Sequence, residues 1–529
     1  MKHFLQNWFA YTLLLVSGIT LFSQGRPENE NQAEISLPGT EAQEGSGPGT
    51  LPQGNDGIPE DTIIDAAIAG IFPASEQLSE IGLIQNFDGS IYIFCVEEGV
   101  LSIKKGDGKG NTEDYRTEGL PEGLRNIHAL SLSASGPWQY AAFIGSENGK
   151  EGVYVLQTDH NGELRYCSVP EIRNKGAVSQ YTLIGSGLSG ASVYILSNGQ
   201  LSHTTGITAD NFNPIHQTIT RLNEKIGDAR EFKTYRNVFN NYEYGWFTIS
   251  EDNRKELFLF ISGEENFLIR EDAGSFDEGN QIYSSVNFSG DLNYTIIRGN
   301  TVEIIQGGPD GFFRKAQFSI PAEITRYYEI PLIEKNIGIA IAENGETEQV
   351  FAFVNPESGT SEVREWFRME KGFEPGILYT EEQGIILVYR RDGSWYTSYF
   401  DPDLFNEKRI AGLSEDTEIF FTDYNIKAKA GFLEQKNGNK LLLYEFGVGQ
   451  PILKNSTILP QNTDSALIFF NRKTGEVQAI KSRLYSTSLA INGIFFFCVY
   501  DGRNVSIYRS TPESQNIIDL VNIIPLRGR

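Results

Sequence analysis

Three stretches far apart in the chain, IYIFCVEEG (91–99), IILVYRRDG (385–393) and IFFFCVYDG (494–502), align without gaps. Each opens with four apolar residues and a fifth that is apolar or Cys. Three looser positions follow, and a turn ending in Gly closes the unit. In the second copy the turn is Asp392-Gly393, among the strongest two-residue hairpin signals, because both central residues of a type I′ turn need positive φ. Looser copies begin at Val153, Val193, Leu257, Tyr294, Phe351 and Leu441, so the unit recurs at an average spacing of about 50 residues.

A repeated strand-and-turn unit of this size cannot bury both of its faces alone, so neighbouring units must stack. The apolar strands are continuous rather than alternating, which suits a strand covered on both faces. Few segments carry helical periodicity, while Tyr, Phe and Gly are abundant and Met is scarce. The pattern resembles that of β-propeller repeat proteins as an architecture. It lacks the Trp-Asp and Gly-His signatures of WD40 repeats and the double-Gly pattern of kelch repeats, and it points to no specific family. The expectation is an all-β propeller over 79–529 with seven blades, or eight as the alternative, since one blade can supply two of the apolar strands.

The first 25 residues, MKHFLQNWFAYTLLLVSGITLFSQG, place a basic start before a short apolar run that ends in small or polar residues. This is the layout of a signal peptide, and the run is short for a membrane span. An uncleaved N-terminal anchor is the alternative; no lipid-attachment cysteine follows. The expected localisation is therefore export, to a periplasm, cell surface or medium, with no membrane span in the mature chain.

Residues 26–61 are acidic, rich in Gly, Pro and Ser, and nearly free of large apolar side chains, which reads as a disordered linker. The formal charge of the whole chain is −25; −7 in this segment and +1 in the signal leave −19 for the rest. So acidic a surface argues against nucleic acid or an anionic membrane as partner. Over 62–78, Ile64, Ile68 and Ile71 fall at helical spacing behind an Asp, and a short helix is expected there. The polar stretch 221–239 reads as a long connection between strands.

The motifs of common chemistries are missing. The histidines form no H-x-x-x-H pair, and no Cys/His cluster has zinc spacing, so neither a metal nor a cofactor is expected. DHNGE (159–163) and GDGKGNTED (106–114) offer oxygen ligands, but neither matches an EF-hand loop, and both read first as surface turns. There is no G-x-S-x-G elbow and no phosphate-binding G-x-x-x-x-G-K-[ST] loop. SEDNRKELF (250–258) and YRRDGSWYT (389–397) match only fragments of the Asp-box of sialidase-type propellers. Cys95 and Cys498 hold equivalent places in the repeat. Equivalent strands of facing sheets lie about 10 Å apart, too far for a disulfide, so buried free thiols are expected.

From these observations the chain is expected to be an exported, non-catalytic propeller that binds a protein or a cell-envelope polymer. The alternative is a glycan-processing enzyme with two carboxylates meeting in the central channel. Under the binding reading the contact residues are loop aromatics and arginines: Trp395, Tyr396, Arg390 and Arg391, with Trp138 and Tyr140. The oligomeric state is left open.

Overall fold

The computed structural model describes residues 71–525 apart from short breaks between strands, the longest being 220–227, 356–362 and 511–517. These residues form ten antiparallel sheets, nine of four strands and one of three, with no α-helix among them. The all-β propeller is the observed architecture. In chain order the first eight sheets span 78–114, 125–167, 178–218, 228–275, 281–319, 324–370, 376–409 and 417–458, each a simple meander.

Both chain ends break the meander. The ninth sheet pairs Ser465–Asn471 with Val477–Lys481 on one side and with the C-terminal strand Ile518–Pro525 on the other. The tenth runs Leu484–Thr487, Phe495–Tyr500 and Asn504–Ser510, and takes Phe72–Pro73 from the far end of the sequence as its outer strand. A strand from the start of the described chain thus completes the last sheet.

The repeat explains the packing. Ile91–Glu97 is buried at every position but its last. Its side chains alternate between two neighbours: Ile91, Ile93 and Cys95 pack on the tenth sheet, and Tyr92, Phe94 and Val96 on the second. Six further hydrophobic clusters fill, in order, the seams from the second and third sheets to the seventh and eighth. The seam between tenth and first sheets, with Phe496, Cys498 and Tyr500 against Leu83, Ile91 and Ile93, brings the last sheet in the chain against the first. Ile91, Phe94, Leu387, Val388 and Phe496 are all buried, as their repeat positions require.

The hairpin at 384–400 forms as read, with φ of 50° at Asp392 and 69° at Gly393 between paired strands Gly384–Arg391 and Ser394–Asp401. Three expectations need correcting. The nine apolar units fall one to a sheet, on the second or third strand, so the described residues give ten sheets rather than seven or eight; the unit in the ninth sheet escaped notice. Of the segment 62–78, only 71–78 lies within the described residues, and there Phe72–Pro73 is a strand, because pairing with Val505 and Asn504 overrides local helical spacing. Within 221–239, Asp228–Arg236 is the inner strand of the fourth sheet rather than a connection. Residues 1–61, with the signal and linker readings, lie outside the described residues.

The three cysteines are free and buried. Burial pushes the Cys95 thiol up to about 12, and nearby Glu97 adds to the shift. Among the described residues no helix is long and apolar enough to cross a membrane.

Candidate functional site

The inner strands of neighbouring sheets are stitched together by side chains at the end where each inner strand turns into the second. Between tenth and first sheets, the Ser488 hydroxyl donates to Gln85 Oε1 at 2.8 Å. Between first and second, the Gln85 amide donates to Gln139 Oε1 at 3.2 Å, and Gln139 Nε2 returns a bond to the Gln85 carbonyl. The Gly185 amide of the third sheet donates to Ser133 Oγ of the second at 2.7 Å. Its carbonyl accepts from Arg236 Nη1 of the fourth. Asn237 Nδ2 then reaches the Gly290 carbonyl at 2.8 Å. Gly185 is required here: a Cβ would sit 3.0 Å from the Ala134 carbonyl carbon and 3.1 Å from Ser133 Oγ.

Arg236, the last residue of its inner strand, leads from this stitched wall to a buried polar cluster between the third and fourth sheets. Glu243 opens the second strand of the fourth sheet. Its Oε2 accepts from the Tyr194 hydroxyl at 2.7 Å and faces His203 Nε2 at 3.2 Å. Ser192 also bonds the carboxylate, and the Tyr194 and His203 rings stack at 4.3 Å. Tyr194 and His203 are cross-strand partners, which fixes their stacking by register. Glu243 is 7% exposed and His203 3%.

The electrostatics follow from this arrangement. Burial by itself would raise the Glu243 carboxyl, but the bonds and charge of His203, with Ser192 and Tyr194, hold it below its usual value. Burial and the adjacent Glu243 carboxylate push the Tyr194 hydroxyl well up, so it stays a donor. Burial lowers Arg236, against the opposing pull of Glu243 and Tyr140.

The six residues expected to make contacts are elsewhere, and the structure does not bring the two groups together. Trp395 is buried in the seam of the seventh and eighth sheets, and Tyr140 in that of the second and third, where half-buried Trp138 also packs. Arg390 pairs with Glu370 at 3.1 Å and lies 4.5 Å from the Phe373 ring centre. Arg391 pairs with Glu407 at 2.5 Å and covers the half-buried Tyr396 ring. Arg390 ties the seventh sheet to the sixth, whereas the Arg391 contacts lie within the seventh. Trp395 and Tyr140 are core because their strands are covered by neighbouring sheets, while Trp138 and Tyr396 are half-buried.

The two candidate calcium strings are turns closed by their own carboxylates. Asp107 Oδ1 accepts from the Lys109 and Asn111 amides. Asp159 accepts from the Asn161 and Glu163 amides and pairs with Arg165.

Sequence reasoning missed Ser192, Tyr194, Arg236 and Glu243. His203 and Glu243 are 40 positions apart in different sheets, and no local spacing marks their meeting.

No protein-family profile matches the chain, and no curated protein matches it. Solved structures with a similar course include puromycin hydrolase, at 10% identity and TM-score 0.32, over 70% of this chain and 58% of that one. Prolyl oligopeptidase B from Galerina marginata is similar at 10% identity and TM-score 0.34, over 82% of this chain and 56% of that one. A dihydro-heme d1 dehydrogenase is similar at 11% identity and TM-score 0.34, over 77% and 83%. The chain therefore spans a little over half the length of the two hydrolases.

The expectation of a non-catalytic binder is not kept, since two of the similar structures above are named as hydrolases; likeness at this level concerns fold alone and assigns this chain no activity.

Proposed function

We propose that this chain is a hydrolytic propeller enzyme that works by acid–base chemistry beside the wall between the third and fourth sheets. The donor set of Glu243 carries the reading. Tyr194 donates to the carboxylate and His203 faces it at 3.2 Å, so an imidazole able to exchange a proton lies beside a buried carboxylate. The other buried glutamates differ. Glu303 is held by Arg298 and Arg314, and Glu348 by Arg326, all guanidiniums that keep their protons. Titratable groups gathered and perturbed in one place mark functional sites more often than chance. Arg236, half-buried at the end of the inner strand, donates to the Gly185 carbonyl and lies within electrostatic reach of Glu243; the reading assigns it the role of orienting a substrate carbonyl or carboxylate.

The protein would act after export, given its basic start and short apolar run. Peptides are the class to test first, being what the prolyl oligopeptidase named above acts on. The experiment is turnover of a fluorogenic peptide library by the purified protein and its Glu243→Gln and Arg236→Gln variants. The reading expects wild-type turnover and a loss of at least about 100-fold in kcat/KM for either variant, the usual scale for removing an acid–base group. Undiminished turnover by Glu243→Gln would refute it, as would a wild-type protein that cuts no peptide.

A further inference from the structure

On each inner strand the residue before the stitched end turns toward the next sheet. In the first and third sheets it is an isoleucine, Ile84 or Ile184, buried in the seam to the second or the fourth. In the fourth sheet it is Tyr235, 38% exposed. Its ring stacks at 5.5 Å on Tyr244, its cross-strand partner, and Tyr244 meets Tyr294 of the fifth sheet edge-on at 6.4 Å. Tyr244 and Tyr294 lie in the seam between those two sheets. On the far side of the seam, Gln281–Val286, the inner strand of the fifth sheet, is half-buried at every position. Its Ser284 is the cross-strand partner of Tyr294 and so faces the same seam, and its buried Oγ has no hydrogen-bond partner. The inner mouth of this seam is thus aromatic, partly open to water, and supplied with an unused hydroxyl.

We propose that this mouth is a specificity subsite for an aromatic side chain of a peptide substrate, tyrosine before phenylalanine. The inference rests on the hydrolytic reading above and names the substrate class of that site. Tyr235 and Tyr244 each adjoin a member of the Arg236–Glu243 pair, which is matched across the same two strands. Successive strand residues point to opposite faces, so Arg236 and Glu243 face the third sheet while Tyr235 and Tyr244 face the fifth. Consecutive Cα atoms are about 3.8 Å apart, so a peptide crossing the inner edge of the fourth sheet meets both pairs with residues one or two apart.

The chemistry of the mouth selects the side chain. Offset stacking on Tyr235 needs a flat ring, which an aliphatic residue lacks. A phenol can also bond Ser284 Oγ, whereas phenylalanine leaves that hydroxyl unpaired.

The test measures kcat/KM for fluorogenic peptides that carry tyrosine, phenylalanine or alanine beside the cleaved bond. Wild type should prefer tyrosine to alanine at least about 10-fold and to phenylalanine about 3-fold. Tyr235→Ala should erase the first preference, Tyr235→Phe should keep it, and Ser284→Ala should erase the second. Saturation-transfer NMR with N-acetyltyrosinamide reads the subsite without turnover: the ring should be saturated by wild type and Tyr235→Phe but not by Tyr235→Ala. A wild type that cuts no peptide yet binds N-acetyltyrosinamide through Tyr235 would end the hydrolytic reading and leave the subsite standing. Wild-type preference in Tyr235→Ala would overturn the subsite, as would equal binding of N-acetyltyrosinamide and N-acetylalaninamide by wild type. Should melts show Tyr235→Ala unfolded, Ser284→Ala decides, and an unchanged tyrosine-to-phenylalanine ratio there overturns the proposal.

Discussion

Replacing Phe496 with Ala tests whether the array is closed. The ring is 2% exposed, in the seam between the last and first sheets. Its Cζ lies 3.3 Å from where a Cβ on Gly108 would sit, so it reaches a loop of the first sheet across the closure. Removing the ring forfeits about 2 kcal/mol of burial. A residual cavity of roughly 80 Å³, at about 24 cal/mol per Å³, adds about 2 kcal/mol more. The sum, about 4 kcal/mol, sits within the ~3–5 kcal/mol usual for emptying a core aromatic site. Urea unfolding followed by tryptophan fluorescence measures it, with Phe143→Ala as reference, since Phe143 is equally buried in the seam of the first and second sheets. In a closed ring the two losses should agree within about 1 kcal/mol, the spread expected for like substitutions in different sites. A Phe496→Ala cost below about 1 kcal/mol would mean that solvent reaches the seam, and the closure would be refuted.

Glu243 titrates below its usual value in the folded chain, so it stabilises the fold above the unfolded-state pKa, and that stability disappears as pH falls through the folded pKa. Melts between pH 7 and pH 3 should therefore fall more steeply for wild type than for Glu243→Gln; identical slopes would exclude the linkage. Gly185→Ala should cost about 1–3 kcal/mol, because its Cβ meets backbone of the second sheet that cannot swing away; an unchanged urea midpoint would mean the inner strands are looser than described. A thiol reagent should find no reactive cysteine in the native protein and three in denaturant, given three buried free thiols. Mass spectrometry of protein from its native host should show a chain starting near residue 25; an intact Met1 would end the export proposal.

The sequence by itself determined the class of fold and the register of the 384–400 hairpin. A middle strand covered on both faces has to be apolar at consecutive positions, and a two-residue hairpin has to use residues that tolerate positive φ. Both demands are local and leave their mark in IYIFCVEEG and in Asp392-Gly393. Nine of the ten sheets carry one such mark each, but the strands alone do not say which of them share a sheet. That depends on pairing between segments, as Phe72–Pro73 with Asn504–Ser510 demonstrates across the whole chain. The exposure of Trp395 and Tyr140 was illegible for the same reason: whether an aromatic beside a turn is rim or core depends on the sheet packed over it. The Glu243 cluster was decided wholly by tertiary structure. A carboxylate, an imidazole and a phenol interact through space within a few ångströms, and only the stacking of the third sheet on the fourth brings Tyr194 and His203 to Glu243.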